Sequence, residues 1–542
     1  MLKTKLIVSW TLPPTITTIT LLMLAINPTP AQSYFRLSVN SNLDGEITPD
    51  GNLTLREAIE IVNGNLPVSQ LSLAEKAQIV PQTDNEKTAN LITFNLPENA
   101  TTIKLIKELP AIQAPAIIDG TTQPGYIENS SNSPIAVSQI CQNQQTNFNA
   151  KIPQPLVTLT PAADVEVLRG LTIVSGDVTV RGLNFYGFNS RYQNRETAIA
   201  SVLPASILIS DKLPAESLNQ ISNETFKQPL QIPRNVVIEK NQFGAGASSS
   251  AFGILIFKSQ GTIIQQNQIV NHTGSGIITG SIAENTQIIG NIIANNGYSG
   301  MANGLHFEGK ITNSEISENM ICQNAGSAIF FFKTQGATKI IKNDLVMNGR
   351  ERKTAAIYLM GEGHQVIENQ ISEQNGPGVA VAAYPHSYRN KITANSFSTL
   401  DGLSIDLTNQ LNESSLAYLI GDGPNTLRNS YYRREETGNK AINPPQFLAK
   451  EFLILGDKVN IDGKADVGTI IEIYRVKTQP KNSANLPYGP LSELIATVQT
   501  DKEGRFGISL KTLKTGDVIS AIATDPEFGT SEPALNAAII KQ

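Results

Sequence analysis

One asparagine recurs through the middle of the chain at nearly constant intervals of 24 to 28 residues. Apolar residues lie three positions before it and two positions after it in every copy. A period of this length is typical of a solenoid, in which each repeat buries its apolar face against its neighbours. The recurring positions are Asn241, Asn267, Asn291, Asn319, Asn343, Asn369 and Asn395.

Each repeat contains short β-rich runs, most copies contain a Gly, and no copy shows a long 3.6-residue period. Strands and tight turns fit this pattern, so residues 67–443 are predicted to form an all-β parallel β-helix. Equivalent residues of stacked coils then lie about 4.8 Å apart, and an Asn in every coil can form an amide ladder. We therefore interpret the recurring Asn, which is a poor acid, base or nucleophile, as structural; a row of ligand-binding groups is the alternative.

The first 31 residues have the features of an export signal. They begin with the basic "MLKTK", continue with the apolar "TITLLMLAI" and end with a small residue at Ala31. An uncleaved membrane anchor is the alternative, but Pro13 and Pro14 leave the apolar run shorter than the roughly 20 residues that a span needs. We expect cleavage after Ala31 and a mature chain without a transmembrane segment in the periplasm, on the outer surface or in the medium.

The charge pattern argues against two classes of partner. The net charge is -5, the pI is near 5.6, and the chain has no block of Lys or Arg. Neither nucleic acid nor an acidic membrane is therefore an expected partner. The two cysteines are too few to staple a chain of this size, and Cys322, in an apolar strand, is expected to be a buried thiol. The sequence does not indicate the oligomeric state.

Both ends of the solenoid carry distinct segments. Within residues 32–66, apolar positions recur at helical spacing and predict a short helix that covers the open end of the core. Residues 67–90 are expected to be a polar linker, and residues 189–232 are an insertion around one strand, "ASILIS". The helical positions are Leu55, Ala58, Ile59 and Val62.

The repeat pattern ends before Pro444 and Pro445, and residues 444–542 contain several short alternating strands. This segment is predicted to form a small β-sandwich, and we expect the solenoid to fold without it. No cofactor or metal site is indicated by a motif. Calcium could bind the turn carboxylates, but their spacing matches no known loop motif. These carboxylates are Asp501, Glu503 and Asp525.

Several stretches resemble a known group of proteins. They are "GNLTLREAIEIVNG" (51–64), "IDGTTQPGY" (118–126), "GLTIVSGDVTVRGLNFYGF" (170–188) and the repeats. Together they resemble exported bacterial right-handed β-helix proteins of the pectate-lyase-like superfamily with an "LREAI" cap, and the C-terminal segment resembles bacterial Ig-like modules. The resemblance implies the architecture from about residue 35 to 445 but no activity, because this fold hosts many functions. Leu53 stands where such proteins usually have a Cys, so no cap disulfide is implied.

In the strand after the repeated Gly, successive side chains point alternately into the core and outward. The inward set continues through Ile329, Ile357 and Leu403, which places Ser404 and Asp406 in the two outward columns. In the middle of these columns the outward residues are aromatic or apolar instead of polar. Two interpretations stay open: the patch binds sugar rings or a partner, or another part of the chain covers it. The predicted outward patch is Phe330, Phe332, Tyr358 and Met360, bordered by His306 and Glu308.

Catalysis has little support in the sequence. Glu308 and Asp406 lie four coils apart, near 19 Å at about 4.8 Å per coil, which is too far for a pair of glycosidase carboxylates. The weak acid–base candidates are His306 with Glu308 and, in a loop, Tyr384 with His386. The sequence therefore favours an exported binding, adhesion or envelope-associated protein whose partner is a polysaccharide or another envelope component. The alternative is a polysaccharide lyase or epimerase.

Overall fold

The computed structural model describes residues 34–82, 89–128, 141, 152–190, 204–211, 231–299, 301–384, 386–409, 420–428, 430, 436–477 and 486–541. The predicted signal at residues 1–31 lies outside this part of the chain, as does most of the predicted insertion on either side of residues 204–211. None of the helices in the described ranges is both long and apolar enough to cross a membrane.

The described chain is a right-handed parallel β-helix, as the sequence predicts, followed by a smaller sheet. Three sheets run along the solenoid, and most coils contribute one strand to each sheet. Within the described ranges, the first sheet contains β1 (Phe35–Val39), β2 (Ile79–Pro81), β3 (Asn90–Phe94), β5 (Ala116–Asp119), β8 (Val178–Arg181), β11 (Val237–Glu239), β14 (Ile263–Gln265), β17 (Gln287–Ile289), β20 (Ser314–Ser317), β23 (Thr338–Ile341), β26 (Gln365–Ile367) and β29 (Lys391–Thr393). All pairings are parallel except that of β1 with β2.

The other two sheets complete each coil. The second sheet contains β4 (Thr102–Leu105), β6 (Val157–Pro161), β9 (Leu183–Phe185), β12 (Gln242–Phe243), β15 (Gln268–Val270), β18 (Ile292–Ala294), β21 (Met320–Cys322), β24 (Asp344–Val346), β27 (Gln370–Gln374) and β30 (Ser396–Leu400). The third sheet contains β7 (Arg169–Ile173), β10 (Ala205–Ile209), β13 (Phe252–Gln260), β16 (Ile277–Glu284), β19 (Leu305–Lys310), β22 (Ile329–Gln335), β25 (Ile357–Leu359), β28 (Val379–Val381) and β31 (Ile405–Leu407). Strand β10 pairs with both β7 and β13, so the predicted strand "ASILIS" belongs to a regular coil.

The recurring asparagines form the predicted ladder at the corner between the first and second sheets. The Oδ1 atom of Asn319 accepts hydrogen bonds from the backbone N and from Nδ2 of Asn291, both at 2.9 Å. Its Nδ2 donates to Oδ1 of Asn343 at 2.9 Å and to the carbonyl of Ile288 at 2.8 Å. The same bonds join every rung from Asn241 to Asn395. At the corner the chain leaves the sheets, so its buried amide groups have no partner strand. The ladder supplies their hydrogen-bond partners instead.

The residue before each ladder Asn makes the bend. Glu318 has a φ of 55° and Gly290 a φ of 62°, both in the left-handed region. The bend is therefore carried by the outward residue and not by the inward ladder Asn. Left-handed backbone costs a non-Gly residue roughly 1–2 kcal/mol, and the ladder bonds beside it offset that cost.

A second ladder lies five residues further along each of four coils, at the corner between the second and third sheets. Here Oδ1 of Asn324 accepts from the backbone N and Nδ2 of Asn296, both at 3.0 Å. His272 begins this column, since its Nδ1 lies 2.9 Å from Oδ1 of Asn296. Asn348 ends it, accepting from Nδ2 of Asn324 at 2.8 Å.

The predicted N-terminal helix is present as α1 (Leu55–Val62). Thr54 caps it: its side chain accepts from the backbone N of Glu57, and Glu57 accepts in return from the backbone N of Thr54 at 2.9 Å. Arg56 anchors it through an ion pair with Asp44, at 2.7 Å between Nε and Oδ1. Its buried apolar side chains join the solenoid core, including Leu55, Ala58, Ile59 and Val62. The residues after it, predicted as a linker, contain a 3₁₀ helix (Val68–Gln70), α2 (Leu73–Lys76) and β2.

The C-terminal residues form the terminal sheet, which is mostly antiparallel and has a core of its own. A 3₁₀ helix (Gly438–Ala441) precedes it. Its strands are β32 (Gln446–Phe447), β33 (Glu451–Leu455), β34 (Lys458–Lys464), β35 (Ile470–Val476), β36 (Leu491–Gln499), β37 (Arg505–Leu510), β38 (Val518–Asp525), β39 (Gly529–Thr530) and β40 (Ala537–Lys541). They match the predicted strand-rich segment, while its likeness to Ig modules stays a prediction.

The terminal sheet packs directly on the last coil. Its side chains Tyr474, Leu491 and Ile522 are buried in the core of the solenoid. The backbone N of Ile392 donates to Oγ1 of Thr530 at 2.9 Å, across the junction. The expectation of a solenoid that folds without this segment does not fit such packing, because removing the sheet would open the end of the main core.

The two cysteines form a disulfide, Cys141–Cys322. The expectation that Cys322 is a free buried thiol is therefore wrong. Cys322 faces outward from β21, where Cys141 and Ile152 pack over Val270 and Met320 on the second sheet. The sequence could not show this pairing, because 181 residues separate the two cysteines and the repeat does not relate them.

Candidate functional site

The outward face of the third sheet has the register that the sequence predicts in its middle but not at its end. His306 pairs with Phe330 and Phe330 with Tyr358, while Glu308 pairs with Phe332. At the last coil, Asp406 pairs with Ala380, so Asp406 and not Ser404 belongs to the column of His306. The inward residue there is Ile405 instead of Leu403, because Ile405 pairs with Val379.

Both ends of this outward face are buried. Leu208, Leu255 and Ile278 belong to one covered apolar cluster toward the N-terminal end. Tyr358, Met360, Ala380 and Ala382 belong to another toward the C-terminal end. The predicted outward patch is therefore wrong for Tyr358 and Met360, which are only 1% and 9% exposed and cannot contact a large ligand.

Between these clusters lies an accessible region, which we call the open window: Glu308, Phe332, Lys333 and Tyr384. The side chain of Glu308 is 40% exposed, Phe332 is 39% exposed and Tyr384 is 52% exposed. Lys333 is exposed as well. Chemical groups that could meet a ligand on this face are thus gathered on β19, β22 and the loop after β28.

The aromatic side chains beside the window pack against one another. The ring of Phe330 lies between the rings of His306 and Tyr358, with centroid distances of 4.9 Å and 5.3 Å. Both faces of Phe330 are therefore occupied within the molecule, and it offers no free face to a sugar. Phe332 lies nearly parallel to Phe330 at 6.3 Å and forms the exposed end of the group.

Lys333 was not foreseen as part of the site. Its ammonium group lies 5.2 Å from the ring centroid of Phe332 and 5.3 Å from that of Tyr384. Strand β22 has one residue more than β19 between the pairs Glu308–Phe332 and Lys310–Gln335, and Lys333 has a left-handed φ of 49°. Such a bulge re-aims a side chain, and it brings this cation between two exposed rings. A one-residue bulge leaves no periodic signal in the sequence.

His306 and Glu308 form the one acid–base pair that the sequence singled out on a strand. His306 Nε2 lies 2.9 Å from Glu308 Oε1, and His306 is almost fully buried beside the more exposed carboxylate. On its other side, His306 Nδ1 lies 3.2 Å from Nδ2 of Asn303, which is also buried. Asn303 was not predicted from the sequence. The feature that could have identified it is its position three residues before His306.

The second predicted pair does not assemble. Tyr384 joins the open window through Lys333, whereas the described contacts of His386 amount to its backbone N–H donating to the carbonyl of Ala383. The side chain of His386 is exposed in the loop. His272 and His364 are fully buried, and burial lowers the pKa of each to about 4, so neither is available as a surface acid or base.

Asp406 is buried at the junction with the terminal sheet, away from the window. Burial, together with the neighbouring carboxyl groups of Glu532 and Asp422, raises its pKa well above the usual value. Its oxygens accept from the backbone N–H groups of Asp422 and Gly423 at 3.2 and 3.0 Å. These bonds hold a loop against β31 and give Asp406 a structural role.

In the terminal sheet, the carboxylates of Asp501 and Asp525 accept hydrogen bonds from backbone N–H groups of their own turns. Asp501 accepts from the backbone N–H groups of Glu503 and Arg505, and Asp525 accepts from those of Glu527 and Phe528. Calcium at Asp501, Glu503 and Asp525 stays an untested expectation. Among the described residues, no three His, Cys, Asp or Glu side chains lie together in a way that could hold a metal ion.

Residues 219–356 match the family model for the periplasmic copper-binding protein NosD, over about a quarter of the chain. Copper in proteins is bound mainly by His, Cys and Met. In the described part of this region, His272 is buried in the second ladder, and both ring nitrogens of His306 are hydrogen-bonded to Asn303 and Glu308. Cys322 is in a disulfide, and Met320 and Met347 pack in the apolar cluster around it. The residues present do not fit a copper site, and no function is derived through copper.

No curated protein matches this sequence. Solved structures with some likeness include tailspike protein 2 (TSP2, ORF211) of Escherichia coli O157:H7 bacteriophage CAB120, at 10% identity and a TM-score of 0.30. That match covers 80% of this chain and 61% of the tailspike. Another is tailspike protein gp49 of Acinetobacter baumannii bacteriophage Fri1, a capsular polysaccharide depolymerase, at 10% identity, a TM-score of 0.24 and coverages of 71% and 79%. Likenesses this low do not bear on the activity of the present chain.

Proposed function

We propose that this protein is an exported, non-catalytic carbohydrate-binding protein whose ligand binds at the open window. The observation that carries the proposal is the exposure of Glu308, Phe332, Lys333 and Tyr384 between two buried apolar clusters on one face. Export is supported by the predicted signal at residues 1–31 and by the partial match to a periplasmic family.

The chemistry of the window suits a sugar. Phe332 and Tyr384 supply exposed aromatic surface, which packs against the C–H groups of a sugar at little cost in side-chain entropy. Glu308 supplies a hydrogen-bond acceptor and Lys333 a donor, so ligand hydroxyl groups would find a partner of each kind. Such a surface binds and orients a chain of sugars without requiring a chemical step.

A polysaccharide lyase or epimerase is the second candidate, and the His306–Glu308 hydrogen bond favours it. A histidine beside a carboxylate is a common arrangement for moving a proton. We favour binding because His306 is almost fully buried, whereas a catalytic base must reach the proton that it abstracts.

Binding can be measured with the chain lacking residues 1–31 against a panel of neutral and anionic polysaccharides. Phe332→Ala and Tyr384→Ala should each weaken binding about tenfold, as expected for aromatic residues at the centre of an interface. Tyr298→Ala is a matched control, because Tyr298 is 43% exposed but lies away from the window, with its hydroxyl donating to the carbonyl of Gln323. Equal binding by all three variants would overturn the proposal. Accumulation of unsaturated products or new reducing ends, lost in Glu308→Gln, would establish the enzyme instead.

A further inference from the structure

The orientation of the Asn303 side chain is determined by a backbone group. Its Oδ1 atom accepts a hydrogen bond from the backbone N–H of Ser327, at 3.1 Å. A backbone N–H can only donate, so the atom opposite it must be the amide oxygen. The Nδ2 group of Asn303 is therefore the group that faces His306 Nδ1, at 3.2 Å.

This orientation determines where His306 carries its proton. An amide NH₂ group only donates, so His306 Nδ1 must accept and carries no proton in the neutral ring. The proton then lies on Nε2, 2.9 Å from Oε1 of Glu308, where it is donated to the carboxylate. The hydrogen bonds therefore run in one direction, from Ser327 through Asn303 and His306 to Glu308.

We infer that Asn303 is a positioning residue that sets the tautomer of His306, and that Glu308, held in this way, selects a neutral sugar through one of its hydroxyl groups. Oε1 of Glu308 is occupied by His306, while the described structure gives Oε2 no hydrogen-bond partner and the side chain is 40% exposed. An ionised carboxylate only accepts, so Oε2 binds a hydroxyl donor. The carboxylate of an acidic sugar placed there would meet a like charge.

The position of Lys333 is consistent with a neutral ligand. Its ammonium group is held at 5.2–5.3 Å from the rings of Phe332 and Tyr384, where it can donate to a ring or hydroxyl oxygen at the edge of a bound sugar. With Glu308 on the neighbouring strand, the window carries one negative and one positive group. The ligand part of this inference rests on the proposed function, whereas the role of Asn303 does not.

The tautomer is measured by ¹⁵N NMR of the imidazole nitrogens at pH 8 in the full mature chain, with His306→Gln to assign the signals. We expect a protonated Nε2 and an unprotonated Nδ1. Asn303→Asp replaces the donor with a group that only accepts, so the Nδ1 signal should move to the protonated position. A proton on Nδ1 in the unaltered protein, or an unchanged signal in Asn303→Asp, would overturn the inference.

Ligand class is measured with neutral glucans, mannans and galactans, each beside the same polymer with its primary alcohols oxidised to carboxylates. The neutral form should bind at least tenfold more tightly, and Glu308→Gln, which removes the charge, should reduce that ratio at least fivefold. Tighter binding of an oxidised form, or an unchanged ratio in Glu308→Gln, would overturn the ligand part. Binding to none of these polymers, together with the expected tautomer, would overturn the proposed function and leave the role of Asn303 standing.

Discussion

The backbone N–H of Leu407 in the last coil donates to Oε1 of Glu532 beside the terminal sheet, at 3.1 Å. The same carboxylate accepts from the backbone N and Nδ2 of Asn425, at 2.9 and 2.6 Å. A side chain of the C-terminal segment thus satisfies a backbone donor that a further coil would otherwise bond. This contact, with the buried side chains Tyr474 and Leu491, makes the terminal sheet the cap of the solenoid.

Truncation tests this cap. A chain ending at Asn443 should unfold at a clearly lower temperature than the full mature chain, because its last coil would expose core residues and unpaired backbone groups. Circular dichroism melting curves of the two proteins give the comparison. An unchanged melting temperature would show that the solenoid ends in a self-sufficient coil.

The amide ladder gives a second prediction. Asn319→Ala should lower the free energy of unfolding by on the order of 1–3 kcal/mol, because Asn291 loses the acceptor of two buried N–H groups. Urea unfolding followed by fluorescence measures the change.

The matched control is the adjacent outward residue. Glu318→Gly relieves a left-handed φ of 55° without touching the ladder, so its stability should be unchanged or slightly higher. Equal losses in Asn319→Ala and Glu318→Gly would contradict the role given to the ladder.

Two buried histidines predict a loss of stability in acid. Both His272 and His364 have a folded pKa of about 4, lowered by burial, against an ordinary value of 6.5. Their neutral forms are favoured in the folded state, so this stability is complete above about pH 6.5 and is lost as the pH falls toward 4. Each should contribute about 2–3 kcal/mol to the difference in stability between pH 7 and pH 4.5.

Substitution isolates these contributions from those of the carboxylates. His272→Asn continues the second ladder without a titrating ring and should reduce the loss between pH 7 and pH 4.5 when urea midpoints are compared. The explanation fails if His272→Asn loses stability in acid as steeply as the unaltered protein.

The difference between covered and open parts of the outward face gives another prediction. Tyr358→Ser should cost several kcal/mol, because the ring is 1% exposed and stacked on Phe330. Phe332→Ser should change stability by less than about 1 kcal/mol and weaken polysaccharide binding, because Phe332 is 39% exposed. Thermal melting and binding measured on the same samples separate the two roles, and the assignment is wrong if the two variants melt alike.

The solenoid could be predicted from the sequence because every coil makes the same hydrogen bonds and apolar contacts. These contacts leave a regular spacing of Asn and apolar residues. The second ladder was also present at a constant offset of five residues, but a histidine at its start obscured the pattern, since His272 replaces the Asn found at Asn296 and Asn324. Apolar and ladder positions are therefore predictable wherever each coil makes the same contacts as its neighbours.

The candidate site was predicted less well because it depends on features that do not repeat. Tyr358 and Met360 follow the outward alternation and are nevertheless covered, which the period of their own strands cannot show. Lys333 enters the window through a single bulge, and Cys141 reaches Cys322 from a distant segment. Lys333 and Cys141 are thus brought into place by local departures from the repeat.

The ladder has a consequence for how the length of such a protein can change. Each rung is satisfied by an identical rung on the next coil, so nothing in the ladder determines how many coils there are. Gain or loss of one whole coil leaves every amide paired, whereas gain or loss of part of a coil leaves some without partners. The size of the protein is therefore decided at its ends, by α1 and the terminal sheet, and evolution can alter it in steps of one coil.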